Sequence, residues 1–294
     1  MTTSAIVLPD FLVIGASKGG TVWINECLRE HPDVYLTRDT HEIFFFDRHF
    51  DRGVDWYAHH FRGHAAEKRV GDITSTHLAH PQAPARVRSL LPSATLIASL
   101  RNPIDRAWSR YLHVWRKGQI PSNLTFWEAS ERDPGMIGDG EYFRCLLPWR
   151  ELFPLEQLHL LVLDDAEVDP FAYMRRVYEI LGVDPEFRAP STTRRANEHK
   201  TPRSIRMASL AYRGSAWLHR TGLHAPIELA KRVGLQRIVL RSDRLASKEP
   251  TPLSEADRER LSRHYEGDVA ALSELIGRDL VGLWLTGNDV PYTT

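Results

Sequence analysis

Short apolar runs alternate with stretches of helical period along the first 182 residues. The run FLVIGA at 11–16 predicts a strand, and residues 22–30 predict a helix with Trp23, Ile24, Cys27 and Leu28 on one face. His31-Pro32 ends that helix, because the residue before a proline is driven out of the α region. DVYLT and RVGDIT predict two short strands, residues 83–91 a helix, and ATLIASL at 94–100 the strongest strand of the chain. Asn102-Pro103 then forms an N-cap and N1 pair that opens a helix running to about Lys117. A helix near 141–153, the strand LHLLVLD at 158–164 and the helix PFAYMRRVYEILG at 170–182 complete the series.

Continuous apolar strands separated by helices predict an α/β fold, a parallel sheet covered on both faces. Ligands of such sheets sit beyond the carboxyl ends of the strands, which gathers residues 17–21, 72–77 and 101–109 around one crevice. Past Asp184 the pattern changes. Residues 188–206 form a basic loop with Arg188, Arg194, Arg195, Lys200, Arg203 and Arg206. Weaker helical character follows at 204–219 and 225–240, then a linker-like RSDRLASKEPTP at 241–252. A last long helix is expected from Ser254 to Ile276, starting at the capping-type string LSEADRERL. A chain of 294 residues fits one large α/β domain or two small ones, and a single domain with a helical insertion near 204–250 is expected.

The loop between the first strand and helix reads Gly15-Ala16-Ser17-Lys18-Gly19-Gly20-Thr21. A glycine-rich turn at this place aims backbone N–H groups at one point, and the helix dipole adds partial positive charge there. Lys18 supplies a cation and Thr21 a hydroxyl. On the loop alone, a plain strand-to-helix turn with an exposed lysine is an equal reading. A nucleoside-triphosphate P-loop places its lysine after the last glycine, with a hydroxyl beside it for Mg²⁺. Here the lysine leads, so ATP with magnesium is disfavoured, and LVLDD at 161–165 is only a weak stand-in for a Walker-B strand.

A second anion-binding element follows the strongest strand in LIASLRNPIDRAWSRYLHVW, 96–115. Arg101 ends the strand and Ser109 lies two turns into the next helix. A guanidinium fork and a hydroxyl together suit a phosphate. In isolation an Arg101–Asp105 ion pair with a solvent-facing serine is the better reading; it loses weight beside a phosphate loop at the end of a neighbouring strand.

SKGGT followed by LRNPIDRAWSRY resembles the cofactor signature of sulfotransferases that use 3′-phosphoadenosine-5′-phosphosulfate (PAPS), in the branch shared by bacterial enzymes and heparan-sulfate sulfotransferases. HPDVYL at 31–36, HEIFFFDRHFDRGVDWYAHHF at 41–61, WRELFPLEQLHLLVLDD at 149–165 and the stretch 261–284 resemble the family in order and spacing. The resemblance implies a P-loop-kinase-like fold. It assigns Lys18, Gly19, Gly20, Thr21 and Val22 to the 5′-phosphosulfate and Arg101 with Ser109 to the 3′-phosphate. Lys200 or Arg203 in NEHKTPRS would close over the cofactor, whose spent form is PAP.

Glu42 matches the family's catalytic glutamate in E-x-x-F-F, with Lys18 stabilising the departing phosphate. The apolar IFFF that follows is expected to desolvate the carboxylate. His41 and His77 are rival bases. Two positions depart from the pattern: Phe44 stands where the heparan type has histidine, and E-K-T-P reads DITS, with Ile73 in place of the lysine. Both belong to the acceptor side, and their loss argues for a smaller or more apolar acceptor than a heparan-like polyanion. Phe44, Phe46, Asp47 and His77 are the expected acceptor contacts, while Phe45 is expected in the core.

Composition sharpens this little. Lys plus Arg equals Asp plus Glu at 38 each, so no nucleic-acid partner is expected. MTTSAIVLPD has no leader-like pattern and no apolar run reaches membrane-spanning length, so a cytoplasmic protein is expected. Cys27 and Cys145 match no disulfide or zinc spacing and are expected as buried thiols, and the fourteen histidines suggest no metal site. The expected reaction is transfer of a sulfuryl group from PAPS to a hydroxyl, or an amine, of a small-molecule, lipid or carbohydrate acceptor. An NTP-dependent kinase of the same fold and a non-catalytic nucleotide-binding protein are the alternatives.

Overall fold

The computed structural model describes residues 6–193 and 250–286. Lys200, Arg203 and all but the last residue of the expected 204–250 insertion lie outside the described residues. Five strands form one sheet: β1 Phe11–Gly15, β2 Val34–Leu36, β3 Arg69–Ile73, β4 Thr95–Leu100 and β5 Leu158–Val162. Their order is β2-β3-β1-β4-β5 and every pairing is parallel. Helices α1 Thr21–Glu30, α2 Phe45–Arg48, α3 Val54–His59, α4 Ala83–Leu90 and α5 Pro103–Arg116 follow in chain order. They continue as α6 Phe126–Arg132, α7 Gly135–Gly138, α8 Tyr142–Leu152, α9 Asp164–Val168 and α10 Pro170–Leu181. The last are α11 Glu255–Ile276 and α12 Leu280–Trp284.

Two compact units result, one from the described parts of Met1–Arg106, Asp139–Ala196 and Ser262–Thr294, the other from those of Ala107–Gly138 and Asn197–Leu261. The first holds the sheet. On one face Phe11, Val13, Ile73 and Ile97 pack with Trp23, Ile24, Cys27 and Leu28 of α1 and with Tyr173, Met174, Val177 and Leu181 of α10. Alternation along the strands sends Leu12, Ile14 and Leu96 to the opposite face, where they are equally buried, so both faces are covered. The Phe11 ring lies over Gly71 of β3, and a Cβ at that glycine would stand 2.1 Å from the ring. Cys27 is fully buried and Cys145 half-buried; neither is in a disulfide, and burial pushes each thiol up to about 12.

Local chemistry sets the helix ends, at Asn102 and His31 as the sequence predicts. Asn102 Oδ1 accepts from Ile104 N at 2.9 Å and opens α5 with Pro103 in its first turn. Asp169 caps α10 through Phe171 N and Ala172 N, both at 3.0 Å, and Gly182 closes it in the left-handed region with φ 67°. His31 is extended, which ends α1 before Pro32. In the second unit, Thr125 and Glu128 form a reciprocal capping box on α6. There, Ser254 and Asp257 exchange the same kind of bonds ahead of α11, and Trp127 donates to Asp257 Oδ1 at 2.6 Å with Arg260 over its ring.

Candidate active site

The carboxyl ends of β3, β1 and β4 lie side by side, and the segments leaving β1 and β3 are each tied to the neighbouring strand. Ala16 N donates to Ser99 O of β4, and Leu78 N to Ile14 O of β1, both at 2.8 Å. Residues 16–20 therefore turn at the centre of the sheet edge, where the order of strands places an α/β ligand.

Close packing dictates the shape of this loop. A Cβ on Gly19 would stand 2.2 Å from Ser99 O, and one on Gly20 would stand 2.6 Å from Leu163 Cδ1. Tyr173 OH donates to Ser99 Oγ at 2.7 Å, and Ser99 in turn donates to Gly19 O at 2.5 Å, so β4 and α10 brace the turn from below. Burial holds the Tyr173 phenol above its usual range, which keeps it a donor. Lys18 and Gly20 take left-handed backbones, with φ 71° and 84°. For lysine that conformation costs ~1–3 kcal/mol and persists only where the surroundings impose it.

Successive residues of opposite backbone hand turn their N–H groups toward one concavity, an arrangement suited to anions. Gly20 also begins α1 with no side-chain cap, so the first-turn N–H groups face out along the helix axis. Thr21 is buried in that first turn, while Val22 is 50% exposed beside it. The loop 16–21 contains a lysine and two hydroxyls but no carboxylate, a donor set that fits a phosphate or phosphosulfate group.

The strand β3 is followed by Thr74-Ser75-Thr76-His77, and here the acidic residues of the site are held. Glu42 Oε1 accepts from Ser75 N at 2.9 Å and from Ser75 Oγ at 2.6 Å. Asp47 Oδ2 accepts from Thr76 Oγ1 at 2.7 Å, and its Oδ1 stands 3.6 Å from His77 Nε2. Burial by itself would raise the Asp47 carboxyl; His77, Thr76 and Arg48 outweigh it and hold the group at about 2. Asp72 is enclosed, with Tyr57 OH on Oδ2 at 2.9 Å and Thr74 Oγ1 on Oδ1 at 3.0 Å; its burial raises it above the usual carboxylate range.

Glu42 is presented by a loop tethered at both ends. Arg29 of α1 donates to Asn25 Oδ1 at 2.6 Å, to Thr40 O at 2.9 Å and to Thr37 O, while Ser75 holds the loop's far end to the sheet. Phe44, next in line, has φ 56°, a left-handed backbone that is rare for a bulky residue. Its N–H reaches Thr74 Oγ1 at 3.4 Å, and the Arg48 guanidinium lies 4.1 Å from its ring centre. The following rings pack among themselves. Phe45 stacks on Tyr57 at 4.2 Å, and Phe46 meets Tyr57 and His77 edge-on.

The structure thus brings Glu42, Asp47 and His77 onto one turn, with Phe44 and Phe46 beside them. His77 and Phe46 are wholly buried and His41 is exposed. Arg101 is half-buried directly after β4, and its carbonyl accepts from Tyr142 OH at 2.9 Å. Ser109 is half-buried in the second turn of α5, in the part of that helix that belongs to the second unit. Asp164 and Asp165, the weak Walker-B candidates, are engaged elsewhere, on Trp284 Nε1 at 3.1 Å and on Arg278 at 2.8 Å. Sequence reasoning did not single out Ser75, Thr76, Ser99 or Tyr173. Only the departure of DITS from the E-K-T-P pattern pointed to the first of these.

The Sulfotransferase domain family model matches residues 8–209. Mouse heparan sulfate glucosamine 3-O-sulfotransferase 3B1 is 33% identical over 186 residues, 60% of this chain and 46% of that protein. Bovine bifunctional heparan sulfate N-deacetylase/N-sulfotransferase 2 is 32% identical over 198 residues, 60% of this chain and 22% of its own length. The chain thus spans less than half the length of these curated relatives. Among solved structures, a sulfotransferase from Alicyclobacillus acidocaldarius superposes with a TM-score of 0.68 at 23% identity, covering 95% of this chain and 99% of that one. That likeness carries the fold, and the family model, matched across more than half the chain, carries the membership: this chain belongs to the sulfotransferase family.

Proposed function

We propose that this chain transfers a sulfuryl group from PAPS to a hydroxyl group, with a carbohydrate as the leading acceptor class. The observation that carries the reading is the lysine-first, uncapped turn at residues 16–20, which stands on the same sheet edge as a carboxylate, Glu42, held by the adjoining turn. The match to the family supports the reaction class, and the carbohydrate acceptors named for the mouse and bovine relatives support the acceptor class.

When bound, PAPS supplies an activated sulfuryl group on a phosphate leaving group. Lys18 and the N–H groups at the start of α1 then offset the charge that develops on that phosphate, as preorganised donors do in other group transfers. Gly19 and Gly20 let the backbone approach the phosphosulfate, with Thr21 and Val22 beside them. Arg101 and Ser109 select the 3′-phosphate, a group ATP lacks. Lys200 and Arg203 belong to the same proposal as cofactor contacts. Glu42 takes the proton of the attacking hydroxyl. Asp47, seated by Thr76 and His77, shapes the acceptor side together with Phe44 and Phe46.

Incubation with labelled PAPS and an acceptor panel tests the reading. The panel holds a glucosamine-containing oligosaccharide, a simple glycoside, a long-chain alcohol and a phenol. Label is expected in at least one hydroxyl acceptor, foremost a sugar. Label in none of them, with PAPS left intact, would sink the proposal.

A further inference from the structure

The turn after β3 carries four consecutive polar side chains, and each meets a carboxylate: Thr74 on Asp72, Ser75 on Glu42, Thr76 and His77 on Asp47. Ser75 differs from the others in donating twice to one atom. Its N–H at 2.9 Å and its hydroxyl at 2.6 Å both end on Glu42 Oε1. Among the described residues no hydrogen bond reaches Glu42 Oε2. The lone pairs of Oε1 are engaged, and the second oxygen keeps its own for another donor.

We propose that Ser75 is a positioning residue for sulfuryl transfer: its paired donors lock the Glu42 carboxylate and make Oε2 the atom that receives the acceptor proton. The inference rests on Glu42 being the base. In the step, the acceptor O–H gives its proton to Oε2 while the acceptor oxygen forms a new bond to sulfur. The bond from sulfur to the bridging oxygen breaks, and its electron pair leaves on the 5′-phosphate.

Two features make this device belong to this chain. The family pattern E-K-T-P places a proline where Ser75 stands, and proline has neither an N–H nor a hydroxyl to donate. Meanwhile the stretch that delivers Glu42 has little regular structure of its own, being bend and coil from residue 38 to 44. Arg29 fixes its start, at Thr37 and Thr40, and the carboxylate side is fixed by Ser75. A base on such a loop needs an anchor, since a small misplacement of a reacting group costs rate steeply.

The test compares Ser75→Ala, Ser75→Thr and Glu42→Gln, using labelled PAPS and the acceptor of the panel that the wild type labels. Alanine keeps the N–H and removes the hydroxyl; threonine keeps both. Ser75→Ala is expected to lower kcat about 10-fold, on the scale of one hydrogen bond to a charged group, with KM for PAPS and stabilisation by PAP unchanged. Ser75→Thr is expected to restore kcat close to the wild type. Wild-type kcat in Ser75→Ala beside an inactive Glu42→Gln would overturn the role of Ser75 and leave the base standing. So would a loss confined to KM, or a threonine variant no better than alanine. Full turnover by Glu42→Gln would instead remove the base and this proposal together.

Discussion

Glu42→Gln is expected to lower kcat by roughly 10²–10⁴-fold, the range that general-base catalysis spans. The substitution is nearly isosteric, and the amide oxygen can still accept from Ser75 N and Ser75 Oγ, so the loop should stay in place. What the amide lacks is a site for a proton. Binding of PAP should persist, because the phosphate loop lies on the neighbouring strand and makes its own braces through Ser99 and Tyr173. Steady-state kinetics with PAPS separate the two effects: kcat should collapse while KM for PAPS holds. Unchanged kcat would show that Glu42 is not the base.

Removing the Lys18 side chain should be nearly as costly. Lys18→Ala keeps the Cβ and so leaves the left-handed backbone at φ 71° no more strained than before. The variant therefore isolates the ammonium. Losing one preorganised donor to a developing oxyanion costs on the order of 10²–10³ in kcat. If the cation also faces the ground-state phosphosulfate, as proposed, KM for PAPS should rise as well. Single-turnover measurements at saturating PAPS check the chemical loss apart from the binding loss. A variant with normal kcat and raised KM would assign Lys18 to binding alone.

The sheet was readable because parallel strands buried on both faces are continuous apolar runs, as FLVIG and TLIASL are. Helix ends were readable at Asn102-Pro103 and His31-Pro32, where a cap or a proline sits at the junction, whereas the capping box of the short α6 went unread. The stretch 45–59 was not. Its helices α2 and α3 run four and six residues, too short to show a period, and their aromatic residues turn into a ring cluster. The expectation that IFFF would desolvate Glu42 gave way to another arrangement, with Phe45 and Phe46 packed on Tyr57 and the carboxylate tied to Ser75.

The candidate site divides in the same way. The phosphate loop is local in sequence, so its glycines and lysine announce themselves. Glu42 came from resemblance to a family, since a single glutamate carries no pattern. Its partner Ser75 lies 33 residues away, and DITS read only as a lost lysine. A pairing across such a separation is set by strand order, with β2 beside β3, which no short window of sequence reveals. The brace from Tyr173 through Ser99 to Gly19 spans a longer distance still.

The central claim is that the loop at 16–20 serves a phosphosulfate donor and not a magnesium nucleotide. Thermal unfolding of the full chain in EDTA with and without PAP tests it most directly, set against ATP with Mg²⁺. At about 100 times Kd, a ligand that binds only the folded state adds ~2.7 kcal/mol of stability. PAP in EDTA should therefore raise Tm by several degrees and Arg101→Ala should reduce that rise, while ATP with Mg²⁺ leaves Tm unchanged. A rise with ATP and Mg²⁺, and none with PAP, would contradict the account.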